Sequence, residues 1–286
     1  MCTDRIHFLN TGHSDCILLE SDGHYALIDS GEDSEYPEDR PNLNMQGYED
    51  VVVEYLLKHC ADKDGNVTLD FILGTHSHSD HIGGFDTIIL HPQIKVIQAY
   101  LREYHADNVF IMERKRWDNQ EVYDQMIDAL KQTDTPLCQD FNNKFFKLGN
   151  FNITFMHGEN KKHIVKFGEN LNSVVTLVEK NGTKALLAAD MNHRLDDERR
   201  IANIVGKVDL LKIGHHGYPG SNGIMYIKKI LPKYAVVTNF KKFVYPHIKL
   251  IFKYISHSQL HSTADENGII ADINDNGNIV LNSNIM

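Results

Sequence analysis

The sequence predicts an α+β fold in which two β-sheets pack face to face and are covered by helices on the outside. Three observations predict it. Apolar strand patterns occur in both halves of the chain, amphipathic helical stretches are interspersed among them, and no low-complexity linker or short repeat interrupts the 286 residues. Residues 1–286 are therefore read as one domain.

The elements follow in order. Residues 5–10, 15–20 and 24–28 read as three strands punctuated by Gly and Ser, as hairpins require. Residues 31–46 are polar and contain proline, and read as loop. Residues 47–60 read as a helix with Val52, Tyr55, Leu56 and Cys60 on one face. Residues 69–73 form a short apolar strand, 82–90 a helix closed by Pro92, 94–98 a strand, and 119–131 a helix with Val122, Met126 and Leu130 in register. In the second half, 144–148 and 151–156 pair around Gly149-Asn150, and 173–179 and 183–189 form a hairpin around Asn181-Gly182. Residues 208–213 and 234–238 are strands. Ile248, Ile251, Phe252 and Ile255 mark a late helix, and a hairpin of 269–273 with 278–281 closes the chain.

Hydrophobic residues at 42 % and charged residues at 24 % place the chain among globular proteins. No apolar run approaches the ~20 residues of a membrane span. Residues 1–15 lack the basic-then-apolar signature of a secretory signal, so the expectation is a cytoplasmic protein, or an exported one if a signal has been removed. The net charge of -10 disfavours long nucleic acid as a substrate, although bound divalent ions would add positive charge locally. Four cysteines with no CxxC pair are expected to be free thiols.

The chemistry concentrates in residues 75–84, Thr-His-Ser-His-Ser-Asp-His-Ile-Gly-Gly, directly after an apolar strand. Three imidazoles and a carboxylate within six positions cannot converge from a regular strand or helix, but they can from a tight loop at a strand end. His76 and His78 would reach one metal, and Asp80 and His81 a second beside it. Gly83-Gly84 lets the backbone turn without a side chain crowding the ions. The donor types suit zinc, with manganese or iron as alternatives.

This stretch resembles the signature of the metallo-β-lactamase superfamily. The resemblance implies a four-layer αββα sandwich with a two-metal site along one sheet edge, and it implies later ligands. A bridging Asp should end a strand in the second half, where Leu186-Leu187-Ala188-Ala189-Asp190 stands. A final His should end a later strand, where Leu210-Leu211-Lys212-Ile213-Gly214-His215-His216-Gly217 stands. The metal set is then His76, His78, Asp80, His81, Asp190 and His215. Many members add a His between the first motif and the bridging Asp. His157 and His163 are the candidates, with His157 at a strand end the better placed.

A narrower resemblance covers most of the chain in islands. Residues 6–10, 15–21 and 26–31, with Asn172-Ser173-Val174-Val175 and His215-His216-Gly217, are similar to two branches: the hydrolase domain of DNA-uptake competence proteins and the catalytic domain of phosphorylcholine esterases. Residues 263–268 resemble the competence type; residues 31–37 and 113–119 resemble the esterase type. The choline-binding repeats that esterases carry at their C-terminus do not occur in this chain.

What this implies is a phosphodiesterase acting on a small or cell-wall-type phosphodiester such as a phosphorylcholine ester. Two ions would activate a bridging water as hydroxide and neutralise phosphoryl charge. Asp80 and Asp190 are the catalytic carboxylates. His216 would protonate the leaving oxygen or bind phosphate, or else only flank His215. Asn172 would bind substrate or orient a ligand, and Asp29 would accept a hydrogen bond from a metal-binding His. Trp117, the single Trp, offers a cation–π surface for a quaternary ammonium or else packs in the core. His247 would reach the site from a late loop. Two alternatives stay open: a hydrolase attacking carbonyl carbon in a lactam, lactone or thioester, and a non-enzymatic metal- or ligand-binding descendant.

Overall fold

The computed structural model describes residues 4–141, 143–157, 168–193 and 196–286. Its first half builds one sheet. β1 (Asp4–Phe8), β2 (Ile17–Ser21) and β3 (His24–Ile28) form an antiparallel meander. After α1 (Glu49–Cys60), β4 (Val67–Leu69) leaves the sheet and β5 (Phe71–Gly74) joins it, parallel to β3. The single strand expected over 69–73 thus divides at Asp70. Its carboxylate accepts a hydrogen bond from Tyr25 N at 3.2 Å and its own N–H donates to Tyr25 O at 2.7 Å, which turns the chain.

The helix expected over 82–90 is also two pieces, α2 (Ser79–Ile82) and α3 (Phe85–Leu90). Gly83 lies between them because the loop carrying Asp33 packs there: a Cβ on Gly83 would sit 2.5 Å from Asp33 N. The strand expected over 94–98 likewise divides into β6 (Ile94–Val96), which pairs with β4, and β7 (Ala99–Leu101), which pairs with β5. The helices α4 (Ile111–Arg116) and α5 (Asn119–Gln132) follow, then β8 (Leu137–Cys138) at the sheet edge.

The second half builds the facing sheet. β9 (Phe145–Leu148), β10 (Phe151–His157), β11 (Val174–Lys180) and β12 (Thr183–Leu187) are antiparallel neighbours. The crossover helices α6 (Asp197–Val205) and α7 (Ile224–Ile230) make β13 (Leu210–Lys212) and β14 (Tyr234–Val237) parallel to β12. α8 (Pro246–Ile251) leads to β15 (Gln259–Ser262), and β16 (Ile269–Ile273) and β17 (Ile279–Ser283) return to the first sheet beside β1.

Alternating side chains create three apolar layers between four layers of structure. Ile6, Phe8, Leu19 and Ile28 face Phe151, Phe155, Val178 and Val236 between the sheets. Leu18, Leu27 and Ile72 point the other way, onto α1, α3 and α5. Leu186, Leu211 and Val237 point onto α6, α7 and α8. This is the αββα sandwich, with both faces of each sheet buried, which is why its central strands read as near-continuous apolar runs. Cys16 and Cys60 are buried free thiols, and Cys138 is also free.

Candidate metal centre

The carboxyl ends of β3, β5, β12 and β13 meet at one edge of the sandwich, and each ends in a polar residue that turns into the same space. β5 ends at Gly74 and delivers Thr75 and His76. The chain then closes one turn of helix from His78, which brings the His76 and His81 rings to 4.1 Å between centroids. His76 Nε2 lies 3.1 Å from His78 Nδ1. After β12, Ala189 takes a left-handed φ of 47° and aims Asp190 inward. After β13, His215 and His216 are left-handed as well, at 52° and 47°. Such conformations are costly outside glycine and persist where the surroundings enforce them, as they do at functional sites.

The donors converge on Asp190. Its Oδ1 is 3.4 Å from His81 Nε2 and 3.4 Å from His216 Nε2. His216 Nε2 is also 3.2 Å from His81 Nε2 and 3.2 Å from Asp80 Oδ2. His76, His81 and Asp190 form one group whose ligand atoms lie within 4.8 Å of one another; Asp80, His81 and His216 form another.

These residues fit divalent metal ions. Asp190 Oδ1 is buried without a hydrogen bond of good geometry, its neighbours being the two imidazoles at 3.4 Å and Lys212 Nζ at 3.8 Å, so a cation would find an available oxygen there. Two imidazole nitrogens facing each other at 3.2 Å cannot both carry protons. Burial, with His81 and His78 close by, pushes the His76 imidazole well down, leaving it neutral with a lone pair free for a metal. Imidazole with carboxylate is a donor set that zinc, manganese and iron accept.

A ring of second partners orients the donors. Asp29 Oδ2 accepts from His81 Nδ1 at 2.7 Å and from Thr75 Oγ1 at 2.8 Å, and Oδ1 accepts from Thr75 N at 2.8 Å. The support expected of Asp29 is thus directed at His81. Thr238 Oγ1 donates to Asp15 Oδ1 at 2.5 Å, and His216 Nδ1 lies 3.1 Å from the same hydroxyl. Lys212 pairs with Asp15 and donates to Ala189 O at 3.0 Å, holding the left-handed turn before Asp190. Burial opposes the Asp15 charge, but Lys212 foremost, with His216 and His81, holds its carboxyl below the usual range. His78 Nε2 donates to Glu113 Oε1 at 3.0 Å. Burial would raise Glu113, yet this bond keeps it low.

A cleft of about 690 Å³ opens over the cluster, with Glu32, Met45, Glu113 and Trp117 in its lining together with His13 and Tyr218. Burial, with Asp80 beside it, pushes Glu32 up to about 8. Tyr218 hydroxyl and His13 Nδ1 are 3.3 Å apart.

The structure brings His76, His78, Asp80, His81 and Asp190 together, and Trp117 lines the cleft. Three other expected residues are placed differently. His215 stands at the cleft side, its Nε2 3.8 Å from Asp190 Oδ2 and its Nδ1 donating to Pro219 O at 3.1 Å, while the buried His216 enters the cluster. Consecutive left-handed residues send the two rings apart, and spacing alone does not say which points inward. Asn172 does not face the cleft: its amide donates to Glu169 Oε2 at 2.8 Å and its carbonyl accepts from Arg102. His247 is exposed on α8 against Tyr245, outside the cleft lining among the described residues. The backbone of His157 ends β10 opposite Val174; its side chain, and all of His163, lie outside the described residues.

Sequence reasoning missed Asp15, Glu32, Glu113, Lys212, His13 and Tyr218. Lys212 carried a readable signal, a lone charge in the apolar run Leu210-Leu211-Lys212-Ile213. Glu113 opens the stretch 113–119 that resembles the esterase type, yet its local pattern does not mark it as the partner of His78, because it lies on a short helix with no buried residues of its own.

Fold and site together define the class of metal-dependent hydrolase folds with an αββα sandwich. Residues 9–237 match the model of the metallo-beta-lactamase superfamily, and the chain belongs to that superfamily. It is similar to ComE operon protein 3 of Bacillus subtilis (strain 168), at 26 % identity over 218 residues, covering 71 % of this chain and 24 % of that protein. It is also similar to Recombination protein 2 of Haemophilus influenzae, at 21 % over 189 residues, covering 65 % of this chain and 20 % of that protein. These matches accord with the competence-protein side of the resemblance; the chain spans a quarter or less of either relative's length. Among solved structures, the metallo-beta-lactamase fold protein YhfI from Bacillus subtilis superposes with a TM-score of 0.54 at 13 % identity, over 98 % of this chain and 100 % of that one. CmlA, a diiron beta-hydroxylase from Streptomyces venezuelae, does so at 0.50 and 13 %, over 91 % of this chain and 52 % of that one. At such identities these two show the fold alone. Among the described residues, no helix is long and apolar enough to cross a membrane.

Proposed function

We propose that this domain is a two-metal phosphodiesterase acting on a small phosphodiester such as a phosphorylcholine ester. The observation that carries the proposal is the available Asp190 Oδ1, held between two buried imidazoles at the floor of the cleft.

His76, His78 and Asp190 would hold one ion, and Asp80, His81, His216 and the shared Asp190 a second. His216 would take the ligand position expected of His215. When bound, such ions acidify water for attack on phosphorus and neutralise charge building on the phosphoryl oxygens. Zinc suits the imidazole-rich set best.

The chain's own residues do the rest. Asp29 and Glu113 fix His81 and His78 through their second nitrogens, so little reorganisation is needed during reaction. The His13–Tyr218 pair reaches the cleft with a polar hydrogen placed to stabilise or protonate a leaving oxygen, while burial keeps His215 neutral, its Nδ1–H held by Pro219 O and its Nε2 lone pair facing the cleft. The indole of Trp117, 40 % exposed at the cleft rim, offers its face to a quaternary ammonium. The resemblance of residues 31–37 and 113–119 to the esterase branch supports the same substrate class.

The test is a side-by-side assay of bis-p-nitrophenyl phosphate, p-nitrophenyl phosphorylcholine and nitrocefin, with metal content measured after purification without chelator. The two phosphodiesters should be cleaved. Cleavage of nitrocefin alone would transfer the site to carbonyl chemistry, and a metal-free, inactive protein would make it a ligand-binding descendant.

A further inference from the structure

The net charge of -10 hides a strong segregation. From Leu210 to Ala264 the chain contains no Asp or Glu and eight Lys, so its acidic excess lies entirely elsewhere. Charge asymmetry of this kind points to an anionic partner on one face.

The structure gathers these lysines. α8 runs into a wider turn at Phe252–Ser256, and Lys249 and Lys253, four residues apart, share one side. With Lys241, Lys242 and His257 they line a groove of about 630 Å³ that contains the buried ring of Phe252. Lys241 is neutralised by Glu266 at 2.9 Å. Lys242, Lys249 and Lys253 form no salt bridge among the described residues, so their charge is free. Phe243, Tyr245 and Tyr254 are exposed in the same segment, and the Lys253 ammonium sits 5.1 Å over the Tyr254 ring.

The groove's residues connect to the cleft. His13, in the cleft lining, packs against Phe240 at 5.7 Å and Phe243 at 5.2 Å, and the Lys242 ammonium lies 4.7 Å over Phe243.

We propose that this lysine groove is a binding surface for a single-stranded nucleic acid, separate from the metal cluster. Unpaired lysines match a phosphate backbone, and the exposed rings of Phe243 and Tyr254, each beside one of those lysines, offer faces to unstacked bases at the groove's margin. A concave groove suits a flexible strand better than a flat bilayer. The partner disfavoured by whole-chain charge is favoured by local charge. The inference does not rest on the hydrolytic reading.

The test is fluorescence anisotropy of a labelled oligothymidylate of twenty residues with the intact chain, in chelator so that binding is read without cleavage. The logarithm of the binding constant should fall linearly with the logarithm of salt. Lys249→Glu/Lys253→Glu should weaken binding at least tenfold and flatten that slope by about 1.4, from about 0.7 for each lost contact. Tyr254→Ala should weaken the oligonucleotide roughly tenfold and leave inorganic polyphosphate binding unchanged. All variants should melt as wild type and cleave bis-p-nitrophenyl phosphate at the wild-type rate, if the domain cleaves it. Unchanged affinity in the double variant overturns the proposal, as does equal affinity for polyphosphate, or capture by phosphatidylglycerol vesicles in place of the oligonucleotide. Oligonucleotide binding by a domain that cleaves no diester would sink the hydrolase reading and leave this one standing.

Discussion

His216 Nε2 and His81 Nε2 stand 3.2 Å apart although 135 positions separate the two residues in sequence. One proton at most fits between them, and Asp190 Oδ1 lies 3.4 Å from each. A cation between them would be shared by both rings and by the Asp190 carboxylate, where a single proton joins only two of the three.

His216→Ala is therefore expected to lose one bound ion and to lower diester turnover by at least about a hundredfold, through loss of charge stabilisation. Asp80→Ala and His81→Ala should behave alike. His215→Ala should keep its full metal content while losing rate. Metal counted by elemental analysis separates the two imidazoles, and full metal in His216→Ala would return the ligand role to His215.

Glu113→Gln keeps the shape of the His78 contact and removes the carboxylate charge. Metal affinity should fall by about 10–100-fold, as when other partners of metal-bound histidines are changed. Chelator competition measures it, and an unchanged affinity would make the 3.0 Å bond incidental.

Lys212→Met tests the buried pair with Asp15, both almost fully enclosed. Removing one partner leaves an uncompensated carboxylate, and the cost should be about 3–5 kcal/mol in urea unfolding. The double variant Lys212→Met/Asp15→Leu should regain part of that stability. A silent single variant would show that the pair contributes nothing.

The carboxyl of Asp33 gives a pH signature. Burial, a hydrogen bond shared with Glu49 and the charges of Asp86 and Glu49 raise it from 3.8 to about 8. The folded state thus holds this proton more tightly than the unfolded chain does. The associated stability is complete below about pH 4 and is lost as pH rises through about 8. Asp33→Asn should flatten that decline between pH 5 and 8.5 in chemical denaturation, and an identical slope in both proteins would contradict the raised value.

Trp117→Ala should raise KM for p-nitrophenyl phosphorylcholine several-fold, corresponding to about 1 kcal/mol of cation–π attraction, and leave KM for bis-p-nitrophenyl phosphate unchanged. An equal effect on both substrates would reduce Trp117 to packing.

Addition of chelator should lower the melting temperature, since ions that bind only the folded state stabilise it by mass action. A melting curve indifferent to chelator and to added zinc would argue against resident ions.

The layered fold and the close grouping of His76, His78, Asp80 and His81 were legible in the residue pattern alone. A run such as Leu186-Leu187-Ala188-Ala189-Asp190 states its own burial and its polar end, and His76, His78, Asp80 and His81 are close in space because they are close in sequence. What depends on approach between distant segments, or on the sign of a backbone angle, emerges from packing in three dimensions. Left-handed conformations at residues 215 and 216 turn His216 inward and His215 outward; the Asp33 loop comes to rest where only a glycine fits at residue 83; and Asp15 meets Lys212 across 197 positions. These are outcomes of where two sheets and their loops come to rest, and no local pattern of residue types carries that information.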